Sequence, residues 1–315
     1  MRKGGVRAEA RGYRGARRRP VVALARREEV SLMADGPILV LGATGGQGSA
    51  VTEALLGRGA RVRALVRDPQ RAAARRLADR GVEVVAGSLD DRSSLAGAMA
   101  GAGPTFALTT PFEAGVDAEV AQGRAILAAA GEAQVPHLVF SSVAGADQGS
   151  GVPHFDSKAR IETELAAGEV PYTILGPTYF FDNALGGADR IRGGVLDLPL
   201  PADRPLQQLA RADHGVFAAQ VLLNPAPYAG RRIELASDAP TPAQMAAALS
   251  AALGREVRHE SVPLAGIGNP DMHAMWAFLN GPGYQVDIAA LHAAYPEVGW
   301  TSFADWALHT FGSVP

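Results

Sequence analysis

Short apolar runs alternate with longer amphipathic stretches from residue 37 onward, and this rhythm constrains the fold more than any other feature of the sequence. The runs typical of strands are, in chain order, PILVLGA, RVRALVR, VEVVAG, PTFALTT, HLVFSS and YTILGP. Between them, stretches such as QGSAVTEALLGRG and VDAEVAQGRAILAAAGEAQ have the composition and spacing of helices. Strands that alternate with helices in this way form parallel βαβ units with right-handed crossovers. The sequence therefore predicts an α/β fold with a doubly wound parallel sheet and helices on both of its faces.

The rhythm changes after the run YTILGP. Residues 183–205 are rich in Gly, Pro and Asp, which predicts an irregular segment over the sheet. Further on, RRIELAS and EVRHESVPL are predicted strands, and TPAQMAAALSAALG is a predicted helix. That helix should open with a capping box of Thr241 and Gln244 and should end at Gly254. A last helix, SFADWALHTF, should begin at Ser302.

The first 35 residues differ in charge from the rest of the chain. Residues 1–35 carry ten Lys or Arg against four acidic residues, whereas the whole chain has a net charge of -2. Such a segment is typical of a disordered basic tail that contacts nucleic acid or anionic lipid, or of a targeting peptide. The alternative is a mis-assigned start, because MADGPILVLGATGG from Met33 has the character of a natural beginning.

Composition limits the possible functions. The chain has no cysteine, which excludes disulfides, thiolate nucleophiles and cysteine-ligated metals. Outside the tail the balance of charge is acidic, so we expect no direct binding of nucleic acid. No apolar run approaches the ~20 residues that span a bilayer, and we expect a cytoplasmic protein. The histidines show no metal-ligand spacing, so we expect no metal.

A glycine-rich turn follows the first predicted strand. Gly42, Gly45 and Gly48 stand three residues apart between a strand and the opening of a helix. In this context the first glycine allows a tight turn, the second lets the backbone approach a diphosphate, and the third lets the helix lie close to the sheet. The helix N-terminus then offers free N–H groups to the anion. The pattern predicts a dinucleotide-binding Rossmann domain.

The end of the second strand indicates which dinucleotide is bound. An NAD-selective site has an acidic residue there, whereas this chain has Arg67, about 20 residues beyond the glycines. A guanidinium can form two hydrogen bonds to a 2′-phosphate, so we predict NADP(H). Asp68 takes the ribose role instead if the register differs by one residue. Arg63 and Arg71 are secondary candidates for the phosphate contact.

These observations suggest a division of the chain from residue 36 onward. We expect the NADP-binding Rossmann domain to comprise residues 36–180, completed by part of 211–236. Residues 181–210 and 237–315 should then form a smaller C-terminal α/β subdomain that serves a substrate or a partner.

A polar pair begins the helix that follows the fifth strand. His154 and Lys158 are four residues apart, and the same helical stripe continues through Ile161 and Leu165. A buried lysine without a partner is rare, so a solvated helix start is the simpler interpretation. Ser141 is predicted at the carboxyl end of the fifth strand, where open α/β sheets bind ligands, and therefore close to this helix start.

Five motifs occur in a characteristic order: GATGGQG, VRDP, HLVFSS, HFDSKARIE and GPTYFFDN. Together they resemble the NmrA-like branch of the atypical short-chain dehydrogenases/reductases, from about residue 37 to 306. The glycine loop is shared with many families, and HFDSK followed by a Pro-aromatic loop is more specific.

The resemblance implies a set of cofactor contacts. Five segments would supply these contacts: the glycine loop, the ends of the second and fourth strands, the polar helix, and the Pro-aromatic loop over the nicotinamide. The residues are, in chain order, Gly42, Thr44, Gly45, Gln47, Gly48, Arg67, Thr109, Thr110, Lys158, Tyr179 and Phe180. Lys158 would donate to the nicotinamide ribose, which would explain why the helical stripe turns polar. Ser88 stands where the family commonly has an Asp that contacts adenine, and Asp90 is a candidate to compensate.

The resemblance also implies a catalytic set with one departure. Ser141, His154 and Lys158 fall where the wider superfamily keeps Ser, Tyr and Lys. Two positive neighbours, Lys158 and an oxidised nicotinamide, disfavour an imidazolium, so His154 should be neutral at pH 7 and a poor proton donor to an alkoxide.

Two functions therefore remain open. The first, favoured by the missing acid, is a redox sensor in which NADP(H) biases the covering loops and a regulatory protein partner. The second is an NADPH-dependent oxidoreductase that reduces a quinone or another conjugated acceptor. A monomer and a homodimer are both compatible with the sequence.

Overall fold

The computed structural model describes residues 36–312. The basic segment 1–35, predicted to be a tail or a mis-assigned start, lies outside the described residues. Residues 36–312 belong to one compact unit.

Eleven strands occur in the described part of the chain. In order they are β1 Ile38–Leu41, β2 Val62–Val66, β3 Glu83–Ala86, β4 Thr105–Leu108, β5 Leu138–Ser141, β6 Tyr172–Pro177, β7 Tyr179–Phe180, β8 Val195–Leu198, β9 Gln208–Leu209, β10 Arg231–Leu235 and β11 Arg258–Ser261. Seven of them form one parallel sheet in the order β10-β6-β5-β4-β1-β2-β3. The predicted doubly wound parallel sheet is confirmed, and its last strand comes from within segment 211–236.

Eleven α-helices accompany the strands in residues 36–312. They are α1 Gly46–Leu56, α2 Ala72–Asp79, α3 Arg92–Met99, α4 Val116–Glu132, α5 Pro153–Ala167, α6 Ala188–Arg192, α7 Arg211–Leu223, α8 Pro242–Leu253, α9 Pro270–Asn280, α10 Ile288–Ala294 and α11 Phe303–Phe311. Short 3-10 turns connect several of these elements.

The sheet has a core on each face because its strands are buried on both sides. In β1, Ile38 and Val40 pack with α1, α2 and α7, whereas Leu39 and Leu41 pack with α3, α4 and α5. This alternation follows from the two-residue period of a strand. It explains why the predicted strands are continuously apolar.

A third core lies in the smaller C-terminal part, where α8, α9 and α11 pack on β8 and on the start of α5. The strands β8 and β11 pair in parallel there as a separate two-stranded sheet. The prediction that residues 183–205 are irregular was wrong, since they contain α6 and β8. Ile191 and Leu198 are buried, so tertiary packing stabilises these elements despite the local Gly and Pro content.

The capping predictions are confirmed. Thr241 and Gln244 form a reciprocal capping box at the start of α8, and Gly254 ends that helix in the left-handed conformation with φ 63°. Ser302 accepts a hydrogen bond from the backbone N–H of Asp305 at the start of α11.

Two buried histidines make the stability of this fold depend on pH. His137 in the α4–β5 loop and His214 in α7 are nearly inaccessible, and burial lowers the pKa of each to about 4. An unfolded histidine titrates near 6.5, so below that pH the unfolded chain binds protons that the native protein does not. Native stability is therefore highest above pH 6.5 and is lost as the pH falls toward 4.

We predict that the free energy of unfolding falls by about 1 kcal/mol for each of these histidines between pH 6.5 and 5.5. Urea denaturation at the two pH values measures the change, and His137→Gln should remove one of the two contributions. If His137→Gln loses as much free energy of unfolding between the two pH values as the wild type does, His137 is not one of the two histidines responsible.

Candidate functional site

A cleft of about 970 Å³ opens along the carboxyl ends of β1, β2 and β4. Strands β2 and β3 follow β1 on one side of it, whereas β4, β5 and β6 lie on the other side. The strand order therefore reverses between β1 and β4, at the switch point where open α/β sheets bind ligands. The cofactor-contacting residues predicted from the sequence that line this cleft are Gly42, Thr44, Gly45, Gln47, Arg67, Ser88, Thr109, Thr110, Lys158 and Phe180. The structure thus brings together residues from six separate parts of the chain.

The glycine turn begins the cleft. Gly42 has φ 67°, a backbone conformation that favours glycine, and Gly45 is the N-cap of α1. A Cβ atom on Gly48 would lie 2.2 Å from the carbonyl oxygen of Gly42, so the start of α1 lies directly against the strand end. This geometry matches the packing role expected of Gly48. Because Gly45 supplies no side-chain cap, the first N–H groups of α1 are free to bind an anion in the cleft.

Arg67 stands at the end of β2 and lines the cleft. Its guanidinium donates to the Glu113 carboxylate at 2.9 Å, and both side chains are exposed. Asp68 also lines the cleft, but its carboxylate accepts from the backbone N–H of Gln70 at 2.8 Å and so caps a local turn. Arg71 lies beside them in the cleft. The end of β2 therefore presents two guanidinium groups.

Arg63, the other secondary candidate, lies elsewhere. Its guanidinium pairs with Glu83 at 2.9 Å and donates to the carbonyl oxygens of Ala98 and Ala100. It does not line the cleft.

Ser88 and Asp90 lie on the opposite wall at the same end. The Ser88 hydroxyl and the Asp90 carboxylate are 3.3 Å apart, and Gln122 of α4 donates to Asp90 at 3.0 Å. Both residues are thus close enough together for Asp90 to supply the acidic contact that Ser88 lacks.

Lys158 lies at the other end of the cleft and has a buried partner. Its ammonium donates to the Glu119 carboxylate at 2.7 Å, and Glu119 has no exposed surface. Glu119 also accepts from the Thr109 hydroxyl at 2.9 Å and from the Ser157 hydroxyl. This network answers the question of why a lysine occupies an inward-facing stripe: α4 supplies the countercharge, which sequence reasoning did not find. The simpler interpretation of a solvated helix start does not hold, because Lys158 is only 8% exposed, and the predicted contact of Lys158 with the nicotinamide ribose stays a prediction.

The other two members of the predicted catalytic set have different partners. His154 Nδ1 lies 2.6 Å from the carboxylate of Asp271 in α9, and the backbone N–H of His154 points to the same oxygen at 3.3 Å. Ser141 donates to the side-chain oxygen of Gln47 at 2.6 Å and lies 3.2 Å from His214 Nε2. Neither His154 nor Ser141 lines the cleft. In the described structure no hydrogen bond joins Ser141, His154 and Lys158 to one another.

The predicted covering loop is divided between two environments. Phe180 lines the cleft, whereas the ring of Tyr179 packs against Trp276 of α9 with ring centroids 5.4 Å apart. Burial raises the pKa of Tyr179 to about 12. Phe112, which is 69% exposed, also lines the cleft and lies 5.7 Å from the His154 ring.

Several lining or partner residues were missed in the sequence, among them Phe112, Glu113, Glu119, Asn183, Arg211 and Asp271. Glu119 carries no distinguishing signal, since an acidic residue in the first turn of a helix is common. Asp271 and Arg211 are far along the chain from the motifs, and only the tertiary fold brings them to the site.

Residues 36–312 contain no cluster of three or more side chains arranged to hold a metal ion. Within the same residues, no helix combines the length and the apolar character needed to cross a membrane.

Comparison with known proteins identifies the family of this chain. The model of the NmrA-like family matches residues 34–286. The chain belongs to the NmrA-like family. Among curated NmrA-like relatives, an NAD(P)H azoreductase from Xenophilus azovorans is 32% identical over 242 residues, covering 74% of this chain and 82% of the relative.

Three further comparisons concern one relative by sequence and two solved structures. Quinone oxidoreductase 2 from Escherichia coli is 29% identical over 244 residues, covering 74% of this chain and 83% of the relative. The crystal structure of the E. coli NADPH-dependent quinone oxidoreductase QOR2 with NADPH has a TM-score of 0.74 and 27% identity, covering 87% of this chain and all of that one. NmrA itself, a negative transcriptional regulator solved with NADP, has a TM-score of 0.74 at 22% identity, covering 88% of this chain and 95% of that one, and this likeness shows the fold alone.

Proposed function

We propose that this protein binds NADP(H) in the cleft and uses NADPH to reduce a conjugated acceptor of the quinone type. The observation that carries the proposal is the continuity of the cleft. One cavity is lined by the glycine turn, by Arg67 and Arg71 after β2 and by the buried Lys158. That combination of groups suits a molecule with a diphosphate, a 2′-phosphate and a ribose.

The residues fit each part of such a cofactor. The free N–H groups at the start of α1 would hold the diphosphate. Arg67 and Arg71 would bind the 2′-phosphate, and the exposed ion pair between Arg67 and Glu113 is weak enough for a phosphate to replace it. Lys158, held in place by Glu119, would donate to the ribose hydroxyls near the nicotinamide.

NADPH would supply a hydride, and the protein would have to manage the charge that the acceptor gains. The resemblance to the superfamily puts His154 at the position of its tyrosine, and His154 Nδ1 is engaged by Asp271. A carbonyl reduced to an alkoxide, which is about as basic as hydroxide, needs a strong nearby acid. A quinone gives a phenolate, which resembles tyrosine with its pKa near ~10 and holds negative charge more readily. The site therefore favours conjugated acceptors.

The relatives support the reductase reading by their own activities. They include an NAD(P)H azoreductase, a quinone oxidoreductase and a (4-alkanoyl-5-oxo-2,5-dihydrofuran-3-yl)methyl phosphate reductase that is 33% identical over 228 residues, 71% of this chain and 77% of that relative. Each name describes reduction of an acceptor. We extend this class of reaction, and not any one acceptor, to the present protein.

A second candidate function rests on a different observation. Ser141, His154 and Lys158 each have a separate partner and form no connected path for a proton. This arrangement favours a redox sensor that binds NADP(H) and signals through the covering loop to a regulatory protein. Both candidate functions are compatible with a cytoplasmic location. Both are also compatible with the monomer or homodimer expected from the sequence.

We expect the protein to oxidise NADPH in the presence of quinones and to leave simple ketones unreduced at pH 7. The measurement is the loss of NADPH absorbance with a panel of quinones and a matched panel of aliphatic ketones. Ketone reduction at a comparable rate would contradict the argument from the missing acid. NADPH binding without turnover of any acceptor would favour the sensor.

A further inference from the structure

Arg211, the first residue of α7, lies at the glycine turn. It lines the cleft, and a Cβ atom on Gly46 would come within 2.9 Å of the Arg211 guanidinium carbon. Gly46 is the first residue of α1, so its missing side chain leaves room for the guanidinium against the start of that helix.

The helices α1 and α7 run side by side in the same direction. The close approach between Gly46 and Arg211 is repeated four residues later, where a Cβ on Gly215 would lie 2.4 Å from the carbonyl oxygen of Ala50. Because both contacts advance by four residues on each helix, the two helices run in the same direction. Their N-terminal ends, each with a partial positive charge, therefore lie next to each other at the glycine turn.

The positive charge of α1 has no counterpart in its own first turn. Neither N-cap, Gly45 or Ala210, provides a side-chain hydrogen bond to its helix, and α1 has no acidic residue in its first turn. Asp213 offsets the positive end of α7, but it is buried, accepts from the Ser237 and Thr301 hydroxyls and does not line the cleft.

The carboxylate nearest to the guanidinium also leaves it unsatisfied. Among residues 36–312, Asp182 is the acidic residue within 4.0 Å of Arg211, and the separation of 3.7 Å is too long for a hydrogen bond. The Asp182 Oδ2 atom is itself buried without a hydrogen-bond partner. A guanidinium that lines the cleft without a hydrogen-bonded carboxylate, beside the uncapped N-terminus of α1, indicates the site of an anionic group.

We propose that Arg211 binds the diphosphate of the dinucleotide, together with the N-terminus of α1. This inference rests on the proposed binding of NADP(H) and adds a residue outside the glycine loop. Arg211 differs from Arg67 in what it recognises. The diphosphate is present in NADPH and NADH alike, whereas the 2′-phosphate is present only in NADPH.

Asp182 connects this contact to the covering loop. It lies in the 3-10 segment Phe181–Gly187, directly after Phe180, and its neighbour Asn183 lines the cleft. Arg211 and Asp182, 3.7 Å apart, thus bring the loop over the nicotinamide end close to the diphosphate end of the same cleft.

The test compares dissociation constants for NADPH and NADH in the wild type, Arg211→Gln and Arg211→Lys. We expect Arg211→Gln to weaken both dinucleotides by the same factor, about tenfold to a hundredfold, so that their affinity ratio stays unchanged. Arg211→Lys, which keeps the charge, should recover part of the loss. Circular dichroism checks that the variants remain folded.

The outcomes separate this inference from the function on which it rests. Wild-type protein that binds neither dinucleotide would overturn the proposed function and the role of Arg211 with it. Wild-type protein that binds NADPH, with an Arg211→Gln variant that binds within twofold of it, would overturn the role of Arg211 alone. A loss confined to NADPH would also overturn it, because the contact would then be with the 2′-phosphate.

Discussion

Replacing Glu119 with glutamine should lower the free energy of unfolding by about 3–5 kcal/mol, the cost of leaving one member of a buried ion pair uncompensated. Glu119 has no exposed surface, and the Lys158 ammonium it neutralises is also buried. The glutamine can still bond to Thr109 and Ser157, so the loss isolates the missing charge. Urea denaturation of the wild type and the variant measures the difference.

A second ion pair between the same two helices provides a matched control. Arg124 of α4 and Glu164 of α5 are bonded at 2.7 Å but remain largely exposed. Glu164→Gln should therefore cost no more than about 1 kcal/mol. The double variant Glu119→Leu/Lys158→Met should recover most of the stability, because it removes both charges from the interior. If Glu119→Gln and Glu164→Gln lower the free energy of unfolding equally, burial of the Glu119–Lys158 pair does not contribute to the effect of the substitution.

Replacing Gly48 with alanine should abolish dinucleotide binding and cost about 1–3 kcal/mol of stability. The added Cβ would lie 2.2 Å from the Gly42 carbonyl oxygen and 2.9 Å from the Ala43 nitrogen, and neither backbone atom can move without displacing the turn. The same displacement would move the N–H groups at the start of α1 that we assign to the diphosphate. Calorimetric titration with NADPH and urea denaturation measure the two effects.

Gly97 of α3 is the control for this substitution. Nothing lies within 4 Å of a Cβ at Gly97, and the residue is helical. Gly97→Ala should leave binding unchanged and stabilise the protein by up to about 1 kcal/mol, since alanine favours a helix more than glycine does. A Gly48→Ala variant that binds NADPH like the wild type would contradict the close approach of α1 to the strand end.

The sheet could be predicted from the sequence because its cause is local and repeated. The central strands β1, β4 and β5 bury both faces and are therefore largely apolar, and each intervening helix shows its own period. The capping box at Thr241 and the cap at Ser302 were predictable for the same reason, since both partners of each hydrogen bond lie within one helical turn. The glycine turn and Arg67 follow from short motifs at the ends of strands.

The rest could not be predicted because its cause is tertiary. The segment with α6 and β8 is stabilised by packing on α8 and by pairing with β11, which the local Gly and Pro content conceals. Glu119, Asp271 and Arg211 reach the site from α4, α9 and α7. Nothing in their sequence neighbourhoods distinguishes them from surface residues. The partners of His154 and Lys158 were missed for this reason, although the two residues themselves were identified.

These partners change how the sensor and the reductase compare. The sequence favoured the sensor because the superfamily tyrosine is absent. Asp271 and Glu119 now give His154 and Lys158 fixed positions, which a reductase of conjugated acceptors requires. The separation of Ser141 from both residues still favours binding without turnover. Acceptor turnover decides between the two functions, whereas binding of NADP(H) is common to both.

The selectivity of binding tests the central claim most directly. Dissociation constants for NADP⁺, NADPH, NAD⁺ and NADH should show a tenfold to hundredfold preference for the two phosphorylated forms, from charge-assisted contacts of ~1.5–3 kcal/mol. Arg67→Gln should remove most of that preference by weakening NADP⁺ and NADPH alone. Equal affinities of the wild-type protein for all four dinucleotides, or no binding of any, would contradict the account.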